Sequence, residues 1–402
     1  LELLKLASIA IVGAGPAGLF AAECLAEKGL SVTVYDRMPS PARKFLLAGR
    51  GGLNLTHSEP VGAFLTRYGE AQPLLQCALA RFSPDALRQW AHGLGEETFT
   101  GTSGRVFPKS FKASPLLRAW LRRLDRLGVH LFTRHEWRGF GEDGSLLFAT
   151  PDGEAHVVAD AVLLALGGAS WPRLGADGGW VAGLRAQGIE IVPFEPANSG
   201  WLIPWTDHVR RFAGMPLKRI ALTIGAETAR GDAMLTETGL EGGPVYALGA
   251  CLRTALANGD TRIAIDLRPD LDEPALAKKI DTTRKGASTA KRLTQAGLTP
   301  AMQAVLREAG PLPNTAQLLA ARIKHAPLGV TGVAGLDRAI SSAGGIARGA
   351  IDVHMMLKAR PGVFVAGEML DWEAPTGGYL LQGCFATAAL AADGIVAFLT
   401  KR

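Results

Sequence analysis

The chain is poor in the residues that build metal and thiol chemistry. Of its 402 residues only four are cysteines, Cys24, Cys77, Cys251 and Cys384. None stands within two or four positions of another, which disfavours a zinc ribbon and a C-x-x-C redox pair. The eight histidines are scattered and form no H-E-x-x-H, so no metal site is expected. No Ser-His-Asp arrangement is legible. Sparse, unpaired cysteine fits a reducing, cytoplasmic setting. Neither sign of charge dominates: 43 basic residues face 37 acidic ones, a net charge of +6. Such an excess admits an anionic partner, whether phosphate cofactor, acidic metabolite or RNA, without demanding one. No charge-free run reads as long enough to cross a bilayer, so no membrane partner is expected. The apolar stretch 1–12 carries only Glu2 and Lys5 as charges and has no small-residue cleavage site. Its end reads as a buried parallel strand and not as a leader.

Glycine, in contrast, is abundant: 49 residues, clustered in short signatures. Ser8 to Val12 is a short β-rich run. Pro16 to Lys28 has helical spacing and stops at Gly29, and Ser31 to Tyr35 is a second strand closed by Asp36. Strand, glycine turn, helix, strand and acid make a βαβ unit. Gly13, Gly15 and Gly18 form G-x-G-x-x-G around Ala17. The first glycine permits the tight turn, the second lets backbone approach a pyrophosphate, and the third lets helix pack on sheet. The helix start favours phosphate, and Asp36, followed by Arg37, stands where a carboxylate accepts from ribose hydroxyls.

The fingerprint alone does not separate NAD from FAD; the distant end does. Val363 to Ala366 is an apolar strand that runs into Gly367 and Glu368, then Gly377, Gly378, Tyr379, Gln382 and a helix. FAD proteins of the glutathione-reductase-like type use such a late strand at the ribityl–pyrophosphate region, with the next helix aimed at the flavin pyrimidine ring. Gly167 and Gly168 supply an A-x-G-G crossover. The glycine run at 344–349 has the wrong spacing for a second fingerprint. No dedicated NADPH domain is therefore expected, and NADPH or NADH, if used, visits the flavin directly.

Between these parts, 39–58 reads as a Gly-rich, non-periodic loop and 115–127 as an Arg-studded helix. Strands are predicted at 129–132, 136–140 and 161–166, with a hairpin around Asp152-Gly153. Residues 191–265 hold short β-like runs, and 273–323 read as helices. The expected class is α/β. A Rossmann-like FAD-binding domain, residues 1–190 and 327–402, is interrupted by a β-rich domain at 191–270 and a helical subdomain at 271–326.

Six segments carry a resemblance: IVGAGPAGL at 11–19, ARKFLLAGRGGLNLTH at 42–57, GRVFPKSFKAS at 104–114, LALGGASWPRLGADGG at 164–179, AISSAGGI at 339–346 and GVFVAGEMLDWEAPTGGYLLQG at 362–383. In these the chain resembles the bacterial BaiN/RdsA/YhiN-type, aminoacetone-oxidase-like flavoproteins. The resemblance implies that the 42–57 loop, with Lys44, Gly52, Asn54, Leu55 and Thr56, lies along FAD. It implies that a backbone group near Trp137 faces the adenine. One departure is clear: Leu53 stands where better-known members have the cysteine of a G-G-G-R-C-N-like loop, and His57 stands where Asn is common.

A flavin supplies the redox chemistry and the protein supplies positioning. His57 is the first proton-transfer candidate; the alternative is that it only hydrogen-bonds cofactor or backbone. Lys109 either steers an anionic substrate or is a plain surface lysine. Asp371, Trp372 and Tyr379 are candidates for the substrate side. The leading reading is an FAD-dependent oxidoreductase of a small amine, keto or enone substrate. A second is an RNA-modifying flavin reductase, because the resembled family includes enzymes that reduce a uridine in ribosomal RNA. Its phosphate contacts would come from Arg118, Arg122, Arg123 and Arg126, or from Lys278, Lys279, Arg284, Lys285, Lys291 and Arg292. A third is a non-catalytic FAD-binding protein.

Overall fold

The computed structural model describes residues 7–49, 51–283 and 286–401. Two compact units emerge from its internal contacts: residues up to Glu195 together with those from Ser341 onward, and Pro196–Ile340.

The first unit is built on β1 (Ser8–Val12), α1 (Pro16–Ala26), β2 (Ser31–Asp36), α2 (Arg43–Ala48), α3 (Ala113–Arg126), β3 (His130–Thr133), β4 (Ala161–Leu164), β5 (Val363–Val365) and α4 (Tyr379–Thr400). The five strands form one sheet in the order β5-β4-β1-β2-β3, and every pairing is parallel. β1 and β4 are apolar on both faces, as a parallel strand covered by helices on both sides must be; Ile9 to Val12 and Ala161 to Leu164 are all buried. Chain order reverses at β1, which has β2 on one side and β4 on the other. The crevice beyond its C-terminal end is thus a topological switch point, the place where open α/β sheets bind ligands.

α4 is the central helix of this unit and packs along α1. Its small residues allow close approach: a Cβ at Gly394 would stand 2.2 Å from the His354 carbonyl oxygen. Contrary to the sequence expectation, this 22-residue helix has the length and composition of a bilayer span. Here 56% of its most apolar stretch is buried within the protein. Its one acid, Asp393, pairs with Lys28 at 2.8 Å and also with Arg81.

The 39–58 stretch is not a structureless loop. It contains α2 and the short strand Thr56–His57, which pairs with Arg105–Pro108; that strand pairs in turn with Thr98–Thr100. Six residues are too few to show helical periodicity, and α2 begins without a capping side chain after Ala42 in the left-handed region (φ 55°). A further antiparallel meander, Glu136–Phe140, Leu146–Thr150 and Gly153–Val157, has a bulge between Trp137 and Gly139.

The second unit holds a seven-stranded sheet in the order 326–329, 262–266, 216–224, 227–235, 239–242, 201–202 and 332–333. Its pairings are antiparallel. Four helices, Glu273–Asp281, Thr289–Gln295, Pro300–Glu308 and Ala316–Lys324, start at the side-chain caps Asp272, Ser288, Thr299 and Thr315. Leu222 and Ile265 of the sheet share one buried core with Leu276 and Leu319 of the helices. The β-rich and helical stretches therefore form a single unit. It also runs past residue 326, because Ala326–Gly329 adds an edge strand beside Arg262–Asp266.

Candidate flavin site

A cavity of about 390 Å³ opens at the switch point, and all its lining residues belong to the first unit. The three fingerprint glycines do different work there. A Cβ at Gly13 (φ +106°) would stand 2.2 Å from the Ala165 carbonyl oxygen, and one at Gly18 would stand 1.9 Å from the Gly13 carbonyl oxygen. Both are demanded by the protein's own packing. Gly15 is different: an added Cβ meets nothing within 4 Å, and its φ of −80° suits any residue. Its space is kept open toward the cavity. Gly15 is also the N-cap of α1 and brings no capping side chain, so the first-turn amides face the cavity as donors.

Asp36 closes β2 and holds this turn. Its carboxylate accepts from the Ala14 and Met38 amides, each at 2.7 Å. Burial pushes its pKa up, against the two amides and the nearby Arg37 and Arg43. Lys44 Nζ donates to Glu368 at 2.6 and 2.8 Å and to Ser170 Oγ at 2.6 Å. Glu368 also accepts from the Ser342 amide at 3.2 Å. Arg37 pairs with Asp177 at 2.8 Å, and the Trp180 indole donates to the Gly167 carbonyl at 3.0 Å. The donors Arg37 Nε, Arg43 Nε and Trp137 Nε1 are buried at this cavity without a hydrogen-bond partner. Burying such donors unpaired is costly. They suit a ligand rich in acceptors and negative charge, and the open space at Gly15 suits a pyrophosphate. An adenine dinucleotide fits both.

Of the predicted cofactor residues, Gly13, Gly15, Ala17, Asp36, Arg37, Lys44, Trp137, Gly167 and Glu368 line this cavity. The others lie outside its lining. A Cβ at Gly168 would stand 2.0 Å from Ser342 Oγ, and one at Gly367 (φ +82°) 2.8 Å from the Ala17 Cβ. Gly52 (φ +109°) packs against Phe111, and Asn54 Oδ1 is buried without a partner. The Leu55 amide donates to the Val106 carbonyl at 2.9 Å. Thr56 Oγ1 donates to Gln382 Oε1 at 2.8 Å, and Gln382 Nε2 donates to the Phe82 carbonyl at 2.8 Å. Gly377 (φ +140°) and Gly378 (φ +96°) turn into α4, where a Cβ at Gly378 would stand 2.5 Å from the Thr56 Cα. The loop and the start of α4 are thus one interlocked piece. Tyr379 closes it: its hydroxyl donates to Glu59 at 2.6 Å, and Arg67 grips the same carboxylate at 2.8 and 3.1 Å. Burial opposes ionisation of Glu59, but Arg67 and Tyr379 outweigh it and its pKa falls. Burial, then Glu59, pushes the Tyr379 hydroxyl well up.

His57 stacks on Tyr379 at 5.3 Å, away from the cavity lining. Its Nδ1 accepts from the Glu59 amide at 3.1 Å, and its Nε2 donates to the Ser103 carbonyl at 2.9 Å. One neutral tautomer satisfies both bonds. So wired, His57→Ala is expected to keep FAD and to leave the pH dependence of kcat unchanged. A fall in kcat in that variant with FAD retained would assign His57 the proton-transfer role. Lys109 stands on the surface, paired with Glu97. Trp372 is buried and its indole donates to the Gly367 carbonyl at 2.9 Å, while burial raises the pKa of Asp371.

The sequence reading passed over Arg43, Asp177, Trp180 and Cys384, which all line the cavity. Asp177 lay within a quoted motif, and Cys384 lies two residues beyond Gln382. Burial, then Glu368, pushes the Cys384 thiol up to about 12, which keeps it protonated and inert.

A parallel sheet with a dinucleotide cradle at its switch point, and Gly367-Glu368 in the turn after the late strand Val363–Val365, fits the class of FAD-dependent oxidoreductases. Within that class the chain belongs to the HI0933-like protein Rossmann domain family, whose model matches residues 7–394. It is 26% identical to the 3-dehydro-bile acid delta(4,6)-reductase of Clostridium scindens, over 95% of this chain and 97% of that one. It is 23% identical to the ribosomal RNA dihydrouridine synthase of Escherichia coli, over 96% and 97%. Its fold is similar to that of 3-ketosteroid delta1-dehydrogenase from Sterolibacterium denitrificans, solved with 1,4-androstadiene-3,17-dione. The TM-score is 0.54 at 12% identity, over 98% of this chain and all of that one.

Proposed function

We propose that the protein is a reductase that draws electrons from NADPH or NADH and saturates a carbon–carbon double bond conjugated to a carbonyl in a small molecule. The observation that carries this reading is the strand–turn–helix cradle at 13–18, to which the described residues add no second: the other G-x-G-x-x-G spacing, at 139–144, is the turn between two antiparallel strands and opens no helix. In this reading a nicotinamide donor visits the flavin directly and alternates with substrate there. The full-length similarity to a 3-dehydro-bile acid delta(4,6)-reductase supports the substrate class. Bound FAD would supply two-electron chemistry, with NADPH or NADH as the hydride source and solvent as the source of the proton that completes saturation of the double bond. In this reading Gly13, Gly15, Ala17, Asp36, Arg37, Arg43, Lys44, Trp137, Gly167 and Glu368 hold FAD. Leu53, fully buried, offers no acid or nucleophile.

RNA as substrate is the second reading, favoured by the Escherichia coli relative and by Lys278, Lys279 and Lys291, which are exposed. Two other members of the basic stretches are engaged within the fold. Arg123 pairs with Glu23 at 2.8 Å, and Arg292 donates to the Asn314 carbonyl at 2.6 Å. Arg284 and Lys285 lie outside the described residues. Anaerobic NADPH oxidation separates the two readings. The small-molecule reading expects turnover with a 3-oxo-4-ene compound and none with ribosomal RNA. Lys278→Glu with Lys279→Glu should leave that turnover unchanged. Turnover with RNA alone, lost in the double variant, would replace the first reading with the second.

A further inference from the structure

After β4 the chain does not turn straight into a helix. From Ser170 to Trp180 it runs as an irregular strap, with one tight helical turn at Pro172–Leu174. β1 lies between β4 and β2 in the sheet. The strap leaves the end of β4 and reaches the residues that follow β2, so it crosses the C-terminal end of β1, where the switch point lies. Neighbouring strands stand about 4.8 Å apart, so the crossing spans about 10 Å. Two contacts mark its far side. Asp177 pairs with Arg37 at 2.8 Å, and a Cβ at Gly175 would stand 2.9 Å from the Met38 Cγ. Residues 174–177, 179 and 180 line the cavity, which makes the strap one wall of the cradle.

This wall is pinned at its ends and loose between them. At one end the Ala169 amide donates to Ser342 Oγ at 3.1 Å and Lys44 Nζ donates to Ser170 Oγ at 2.6 Å. At the other the Trp180 indole donates to the Gly167 carbonyl at 3.0 Å. Trp171 (φ 62°), Gly175 (φ 105°) and Gly178 (φ 69°) are left-handed, and of these only Trp171 has a side chain that makes the conformation costly. Among the described residues, the stretch 172–179 makes a single polar link beyond the turns within 171–181, the one from Arg37 to Asp177. That pair is open to water, with side chains 29% and 38% exposed. A pair of this kind shifts an equilibrium by a few-fold at most and weakens in salt. Arg37 Nε, in contrast, is buried at the cavity without a partner.

We infer that residues 171–179 are a gate over the cofactor, with Arg37–Asp177 as its latch: FAD enters and leaves when the latch opens, and the closed strap holds it in between. The Arg37 guanidinium serves both sides. Its Nη1 holds the strap and its Nε is presented to the cavity, so an acceptor on the cofactor fixes the same group that fixes the strap. Opening is easy, because one exposed ion pair and no backbone ladder must be released. The hinges are the left-handed positions Trp171 and Gly178, each beside a pinned end. The gate rests on the cradle's holding FAD and is independent of the proposed reductase chemistry.

Stopped-flow flavin fluorescence tests it, following FAD as it binds the apoprotein and as it leaves the loaded protein on dilution into excess ADP, which blocks rebinding. In Asp177→Asn a gate speeds both rates about threefold to fivefold and leaves the Kd nearly unchanged. Two other roles for Asp177 give other patterns. If it only repels the anionic cofactor, or occupies a cation that FAD needs, its removal speeds binding and slows release. If it is a plain contact, release speeds, binding does not, and the Kd rises. Either pattern overturns the gate. Pro172→Gly loosens the strap without changing its charge and should speed both rates in the same way. Bound FAD whose rates are unmoved in that variant overturns the gate alone, whereas wild-type apoprotein that takes up no FAD removes the gate together with the flavin reading.

Discussion

Gly15→Val is expected to give a folded, colourless protein. The usual objection to such a variant, that glycine is needed by the backbone, does not apply here. At φ −80° the position is open to any residue, and the added Cβ would meet no protein atom within 4 Å. What the side chain would occupy is the space that faces the α1 amides, where the pyrophosphate approaches closest. Displacing it from those donors should lower FAD affinity by about a thousandfold, some 4 kcal/mol. Melting of the apoprotein should stay within a few degrees of wild-type apoprotein. The matched control is Gly18→Val, where the Cβ would collide with the Gly13 carbonyl oxygen at 1.9 Å; that variant should fail to fold with or without FAD. A yellow Gly15→Val protein would remove the pyrophosphate from this turn.

The second large effect is on stability. Glu23 on α1 is almost wholly buried, with its side chain 3% exposed, and pairs with Arg123 of α3 at 2.8 Å. Both its oxygens also accept from the Trp90 indole at 3.1 Å. Arg123 further donates to the Gly93 carbonyl at 2.5 Å, so one guanidinium ties the helices 84–93, α1 and α3 together. Arg123→Met keeps the apolar stem and removes the charge. It leaves a buried carboxylate without its cation, which should cost about 3–5 kcal/mol. That is a large share of the roughly 5–15 kcal/mol available to an ordinary domain. Adding Glu23→Gln should recover most of the loss, because a neutral amide still accepts from Trp90. Urea unfolding of the single and double variants measures both. A loss under about 1 kcal/mol for Arg123→Met would mean that water reaches the carboxylate.

The same residue illustrates what a sequence can and cannot tell. Arg123 reads as one of four arginines on a helix, either a solvated face or a phosphate contact; its partner lies 100 positions away on α1. The βαβ unit was legible because strand, turn, helix and acid follow one another and each leaves a local pattern. β1 and β2 stand where those patterns put them, Ser8–Val12 and Ser31–Asp36. α2 was not legible, since six uncapped residues hold no period. The bracket Glu59–Arg67–Tyr379 was not legible either, because its hydroxyl–carboxylate bond joins positions 320 residues apart. His57 was found as a residue type, but the two bonds that fix its tautomer come from the backbone of Glu59 and Ser103. The helical stretch after residue 271 looked separate because its composition changes. Its apolar positions nonetheless complete a core begun by the strands.

The central claim is that this cradle holds FAD and that the flavin takes electrons from a nicotinamide donor. The anaerobic visible spectrum of the purified protein, before and after NADPH or NADH, tests it most directly. The account predicts a flavin spectrum that bleaches with one of the two donors and recovers when an enone is added. A protein that shows no flavin even after reconstitution with FAD, or a bound flavin that resists both donors, would contradict it.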